Sequence, residues 1–372
     1  MKVVFRADAS LQIGSGHIMR CLTLADELRA EGAECHFICR EHPGHLVEFI
    51  RSKGFTTHSL PMEDELSKGE EVFLQPAPIH ARWLGATQQQ DAEACEYLLI
   101  GLRPDWIIID HYALDISWEK RIQSYCQKIM VIDDLADRHH ICDTLLDQNL
   151  GRLTSDYSSY ISSTCTLLVG PDYALLRPEF SDLREFSLSY RKQPKLKSLL
   201  ITMGGVDEHN ATGEVLEALK IIELPSDIVI TVVMGAAAPW LADVQRAAKH
   251  MPFSTKVVVN VSDMAQRMAV SDLAIGAAGS TSWERCCLGL PTLMAVLADN
   301  QIEIGNALHA RGAAILVGRP KTSDFVGNIV RTISAVIDSP EILKAISSAS
   351  ANITDGSGCK SVVSQLIGRY VQ

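Results

Sequence analysis

Short β-rich runs alternate with helical patterns along the whole chain, and this alternation constrains the fold more than any other feature. Candidate strands lie at 2–8, 34–39, 105–110, 128–132, 144–147 and 166–169, and a second series at 197–203, 227–234, 255–259, 272–275, 291–296 and 313–317. Helical stretches fall between most of them, at 17–31, 44–53, 86–102, 209–222, 239–250, 262–270, 281–289 and 301–311. Such alternation implies parallel sheets with helices on both faces. A chain of 372 residues is too long for one ordinary core. Residues 181–197 carry Arg184, Arg191, Lys192, Pro194 and Lys195 and lose apolar periodicity after Ser189. The expected fold class is therefore α/β, with two doubly wound, Rossmann-like domains at 1–185 and 195–372 and a cleft between them. The helices of about 324–372 are expected on the second domain, with the last placed to cross back to the first. In such sheets ligands lodge beyond the carboxyl ends of the strands, so the loops there are the places to search.

Composition narrows the partners. The chain carries 34 Lys and Arg against 45 Asp and Glu, a formal charge of −11, which disfavours nucleic acid as a partner. No run of about 18 apolar residues is present, so no membrane span is expected. Met1-Lys2 leads directly into Val3-Val4-Phe5-Arg6-Ala7-Asp8, too short and polar for a secretory h-region. The ten Cys form no disulfide or zinc frame. Together these point to the reducing cytoplasm. Cys35, His36, Cys39, His42 and His45 crowd one stretch, but their spacing fits no standard zinc site, and no metal or cofactor is expected. Trp83, Trp106 and Trp118 read as core residues.

The first strand ends in Asp8, and the loop after it runs through Gly14-Ser15-Gly16-His17 into a helix. Gly14 and Gly16 allow close approach of the backbone to a ligand. A dinucleotide fingerprint is excluded, because Met19 stands at the third glycine position and Cys39-Arg40 stand where a ribose-binding acid belongs. The positive end of the helix dipole favours an uncharged imidazole at His17, which suits a general base. Asp8 is placed to orient that ring, and Arg20, three residues on, to meet a phosphate or a carboxylate. The alternative is a histidine that only caps the helix.

Three loops in the second half suit a nucleotide diphosphate. Met203-Gly204-Gly205-Val206-Asp207 precedes a helix opening near Asn210. Gly279-Ser280-Thr281-Ser282 leads into Trp283-Glu284, with small residues and hydroxyls at a helix start and Glu284 within reach of two adjacent sugar hydroxyls. Ala298-Asp299-Asn300-Gln301 opens the next helix. Each alone is ordinary turn chemistry, but all three lie at strand ends on one side of one sheet.

These segments taken in order resemble a known family. Arg6-Ala7-Asp8, Ile13-Gly14-Ser15-Gly16-His17-Ile18-Met19-Arg20, Asp110-His111-Tyr112, Met203-Gly204-Gly205-x-Asp207 and Asn300-Gln301 are similar to the UDP-2,4-diacetamido-2,4,6-trideoxy-β-L-altropyranose hydrolases of pseudaminic acid biosynthesis, over most of the chain. The resemblance implies a fold like that of GT-B glycosyltransferases such as MurG, with UDP bound by the second half. It implies hydrolysis of a UDP-linked diacetamido sugar by water, with cleavage of the C1–O bond, inversion at C1 and no metal. It assigns the general base to His17, roles around the sugar and the water to Tyr112 and Asn300, and substrate contacts to Asp8, Gly14, Gly16, Arg20, Asp110, Gly204, Gly205, Gly279, Ser280, Thr281, Glu284 and Gln301. Segment 61–85 has no counterpart in the pattern and reads as a lid or a substrate-specific insertion. Competing readings are a GT-B glycosyltransferase using a UDP-N-acetylamino sugar, a UDP-sugar 2-epimerase, and a non-catalytic nucleotide-sugar-binding protein.

Overall fold

The computed structural model describes residues 1–62 and 78–368, so most of segment 61–85 lies outside the described residues. The chain divides into two units, Met1–Leu175 joined by the stretch from Cys359, and Leu176–Gly358.

The first unit runs β1 (Lys2–Ala7), α1 (Gly16–Ala30), β2 (Glu34–Arg40), α2 (Val47–Ser52), β3 (Thr56–Leu60), α3 (Gln88–Leu102), β4 (Trp106–Asp110), α4 (Ile116–Ile122), β5 (Lys128–Ile132), β6 (Thr144–Asp147) and β7 (Thr166–Val169). Its strands form a seven-stranded parallel sheet in the order β3-β2-β1-β4-β5-β6-β7. Alternate side chains feed two cores, as the pleat requires. Val3, Phe5 and Ile108 face a cluster with Leu24 and Leu28 of α1, whereas Val4, Ile107 and Ile109 face one with Cys95 and Leu99 of α3 and Trp118 of α4.

The second unit runs α5 (Pro178–Tyr190), β8 (Ser198–Thr202), α6 (Ala211–Ile221), β9 (Val229–Met234), α7 (Leu241–Lys249), β10 (Ser254–Val259), α8 (Met264–Val270), β11 (Leu273–Ala277), α9 (Thr281–Cys287), β12 (Thr292–Ala295), α10 (Ile302–Ala310), β13 (Ile315–Gly318), α11 (Phe325–Asp338) and α12 (Glu341–Ala351). Its six-stranded parallel sheet has the order β10-β9-β8-β11-β12-β13. Leu199, Ile201, Ile230, Val232, Ile275 and Leu293 pack there against α6 and α11.

Two features differ from expectation. β3 was not expected: Thr-Thr-His-Ser-Leu is polar because it sits at the sheet edge, with a neighbour on one side only among the described residues. The stretch 181–197, expected as a break, is largely α5, which buries Phe180 and Ser187. Arg184 of α5 donates to the carbonyls of Cys287, Ala351 and Thr354, and Arg191, just past its end, to those of Met268, Ala269 and Ser271. These bonds place α5 in the second unit, so the division falls at 175/176 rather than at 185. α13 (Gly358–Ile367) returns to the first unit, where Val362, Val363 and Leu366 are buried beside α1. No helix among the described residues is long and apolar enough to cross a membrane.

Candidate active site

In the first sheet the strand order reverses between β1 and β4, where Ala7 lies opposite Asp110. Loops leaving the two strands diverge at that point, which opens the crevice where sheets of this kind hold ligands. The loop after β1 is held by Ser10, whose carbonyl accepts from the Gly14 N–H at 2.9 Å and whose Oγ accepts from the N–H groups of Gln12 and Ile13. Gly14 takes φ 79°, which disfavours any side chain. The turn delivers Gly16 and His17 as the first residues of α1.

His17 Nδ1 lies 2.5 Å from Asp110 Oδ1. Asp110 is fully buried and also accepts from Arg20 Nε and Nη2, each at 2.6 Å. Burial works against its charge, but Arg20 and His17 outweigh it and hold the carboxyl well below the usual carboxylate range. An anionic Asp110 is the acceptor for a proton on Nδ1, and an imidazole carrying its single proton there has its lone pair on Nε2. Nε2 takes part in no hydrogen bond among the described residues. Arg20 Nη1 reaches Asp134 Oδ2 at 2.7 Å, and the Tyr112 hydroxyl donates to the same oxygen at 2.6 Å. The Tyr112 ring meets His17 edge-on, with centroids 4.6 Å apart. His17, Arg20, Asp110 and Tyr112 are thus brought together, with Asp134.

Asp8 does not orient His17. Its Oδ1 accepts from Arg6 Nη1 and from the Arg40 backbone N–H, both at 2.7 Å, and its Oδ2 faces His111 Nε2 at 3.3 Å and His42 Nε2 at 3.5 Å. Asp8 and Asp110 are both fully buried, and each holds other side chains. Arg20 likewise finds its carboxylates inside the protein.

Trp106 and Trp118 lie in the core, but Trp83 does not. It is half-buried on a short 3₁₀ turn, Ala81–Leu84, with its ring 4.3 Å from His80 and 5.9 Å from Tyr112.

In the second sheet the reversal falls between β8 and β11. After β8, Gly204 takes φ 86°, and Asp207 accepts from the N–H groups of Ala211 and Thr212. That carboxylate already occupies the positive end of α6. After β11 the start of α9 has no side-chain cap at Ser280. Beneath it, buried Arg285 donates to the Ala277 carbonyl at 2.7 Å and to the hydroxyls of Thr281 and Ser282. A Cβ at Gly276 would stand 2.6 Å from Arg285 Nη1 and 3.0 Å from the Thr202 carbonyl oxygen, so a side chain there must displace Arg285. Burial pushes the Glu284 carboxyl up to about 7, against the charges of Arg177 and Arg285. Gln301 accepts from the Leu297 N–H at 2.9 Å and leans toward Gly279, while Asn300 is exposed beside it.

No family profile matches the chain. It is 28% identical over 285 residues to the UDP-2,4-diacetamido-2,4,6-trideoxy-beta-L-altropyranose hydrolase of Campylobacter jejuni, covering 75% of this chain and 86% of that protein. It is 25% identical over 307 residues to an uncharacterised protein of Methanocaldococcus jannaschii, covering 82% of this chain but only 57% of that relative's length. Among solved structures it superposes on MurG of Acinetobacter baumannii with a TM-score of 0.70, 14% identity and 99% of each chain covered. The fold is therefore of the GT-B type.

Proposed function

We propose that this protein hydrolyses UDP-2,4-diacetamido-2,4,6-trideoxy-β-L-altropyranose to UDP and 2,4-diacetamido-2,4,6-trideoxy-L-altrose, by direct attack of water at C1 with inversion. The observation that carries the proposal is the His17–Asp110 pair, whose 2.5 Å contact engages Nδ1, while Nε2 takes part in no hydrogen bond among the described residues. The 28% identity to the Campylobacter hydrolase supports the substrate class.

In this mechanism His17 Nε2 takes a proton from water as the oxygen bonds to C1. The bond from C1 to the UDP oxygen breaks, and its electron pair leaves with UDP. Asp110 stabilises the imidazolium that forms, and Arg20 keeps Asp110 anionic. Charge spreads over the departing diphosphate, so a positioned water matters more than a strong acid. The loop Gly279-Ser280-Thr281 supplies N–H and hydroxyl donors for that diphosphate, with the Arg285 charge beneath it, and Glu284 takes the two adjacent hydroxyls of the UDP ribose. Gly204 and Gly205 let the backbone approach the ligand, and Asn300 and Gln301 are assigned to the sugar. The His17 term is asked for about 3–5 kcal/mol of barrier lowering.

The likeness to MurG favours one other reading, transfer of the sugar to an acceptor hydroxyl that His17 deprotonates. Incubation with UDP-diacetamido sugars and no acceptor, followed by proton NMR, separates the two. The hydrolase releases UDP and a free sugar whose first-formed anomer is inverted. No acceptor-free release, or initial retention at C1, sinks this reading.

A further inference from the structure

Four rings meet in the first unit. Between ring centroids, Tyr112 lies 4.6 Å from His17, 5.4 Å from His80 and 5.9 Å from Trp83. We propose that His80 and Trp83, with Tyr112, form a platform that takes the apolar face of the sugar and so determines which nucleotide sugar is presented to His17. The face in question carries methyl groups, either of an acetamido substituent or of a 6-deoxy carbon. This inference rests on the UDP-sugar reading above and adds residues to it.

The platform is built, not incidental. Trp106 and Trp118 are fully buried, as indoles that serve packing usually are, whereas Trp83 and His80 keep part of their surface exposed next to a candidate base. Their turn is anchored at Leu84, which is buried in the core with Ile107 and Trp118. The turn closes at Gly85, φ 71°, where a Cβ would meet His42 Cε1 at 2.8 Å, so the main chain is seated tightly on the unit. Tyr112 cannot swing, because its hydroxyl is bonded to Asp134 at 2.6 Å. Burial and the Arg138 charge lower the His80 pKa, which keeps its ring uncharged and suited to an apolar partner. Arg138 itself is held by Asp133 and Asp137. Rigid aromatic faces beside a polar base are the pattern by which proteins bind ligands that are apolar on one side and polar on the other.

The test is calorimetric binding of UDP and of UDP-sugars in a His17→Ala background, where no turnover interferes. Trp83→Ala is expected to weaken UDP-2,4-diacetamido-trideoxy sugar about tenfold and to leave UDP within twofold. Trp83→Phe should restore most of the loss. His80→Ala should lose about threefold, and Trp83→Ala should erase the preference for the 6-deoxy sugar over UDP-N-acetylglucosamine. Unchanged sugar affinity in Trp83→Ala, an equal loss for UDP, no rescue by phenylalanine, or no sugar binding by the parent overturns the platform. Acceptor-free hydrolysis by the unmutated protein is scored separately. Sugar binding with the platform effect but no hydrolysis overturns the hydrolase reading and leaves the platform standing.

Discussion

His17 Nδ1 and Asp110 Oδ1 stand 2.5 Å apart although 93 residues separate them in sequence. Parallel pairing of β1 with β4 brings them together, because His17 follows β1 and Asp110 ends β4. Asp110→Asn keeps the shape but removes the anionic acceptor that fixes the tautomer. Turnover is expected to fall on the order of 10²-fold or more with UDP affinity unchanged. Steady-state kinetics and calorimetry on one preparation check this.

Arg20 grips Asp110 with two donors and Asp134 with a third, and little of it reaches solvent. Arg20→Ala leaves Asp110 buried without its main counter-charge. Stability is expected to drop by about 3–5 kcal/mol, read from urea unfolding of the variant beside the parent. An unshifted unfolding midpoint contradicts the role given to this pair.

Glu284 carries the clearest pH signature. Burial raises its carboxyl to about 7 from the ordinary 4.5 of a glutamate. Between those values the folded protein keeps a proton that the unfolded chain has released, so this group makes stability fall as pH rises through that window. UDP binding runs the other way, because an ionised Glu284 is the better acceptor for sugar hydroxyls. UDP affinity is expected to rise as pH passes upward through about 7, and to lose that dependence in Glu284→Gln. Calorimetry at pH 6 and pH 8 reads both.

Gly276 tests the diphosphate loop. Gly276→Ala pushes a methyl against Arg285 and the Thr202 carbonyl, at an expected cost of about 1–3 kcal/mol. Displacing Arg285 should also weaken UDP. A variant with the parent's melting temperature and UDP affinity contradicts the packing described.

Much of the fold was legible because buried parallel strands are written in apolar runs, as in Trp-Ile-Ile-Ile-Asp of β4. β3 was not, since an edge strand tolerates Thr, His and Ser. α5 was not, because its stripe is thin and its anchors are the arginines Arg184 and Arg191. In the site, His17, Arg20 and Tyr112 were marked by their motifs. The orienting acid was misassigned to Asp8 because Asp8 is near in sequence, whereas Asp110 is near in space. Asp134, Arg285, His80 and Trp83 carry no local pattern. Their roles arise from strand order and from rings that meet only in the folded unit.

The central claim is that His17 activates water. The most direct measurement compares His17→Ala with the parent for turnover of the UDP-diacetamido sugar and for UDP affinity in the same preparation. The account predicts a fall in kcat of about 10²–10⁴-fold with UDP affinity within twofold of the parent. Turnover at the parent's rate, with UDP still bound, would contradict it.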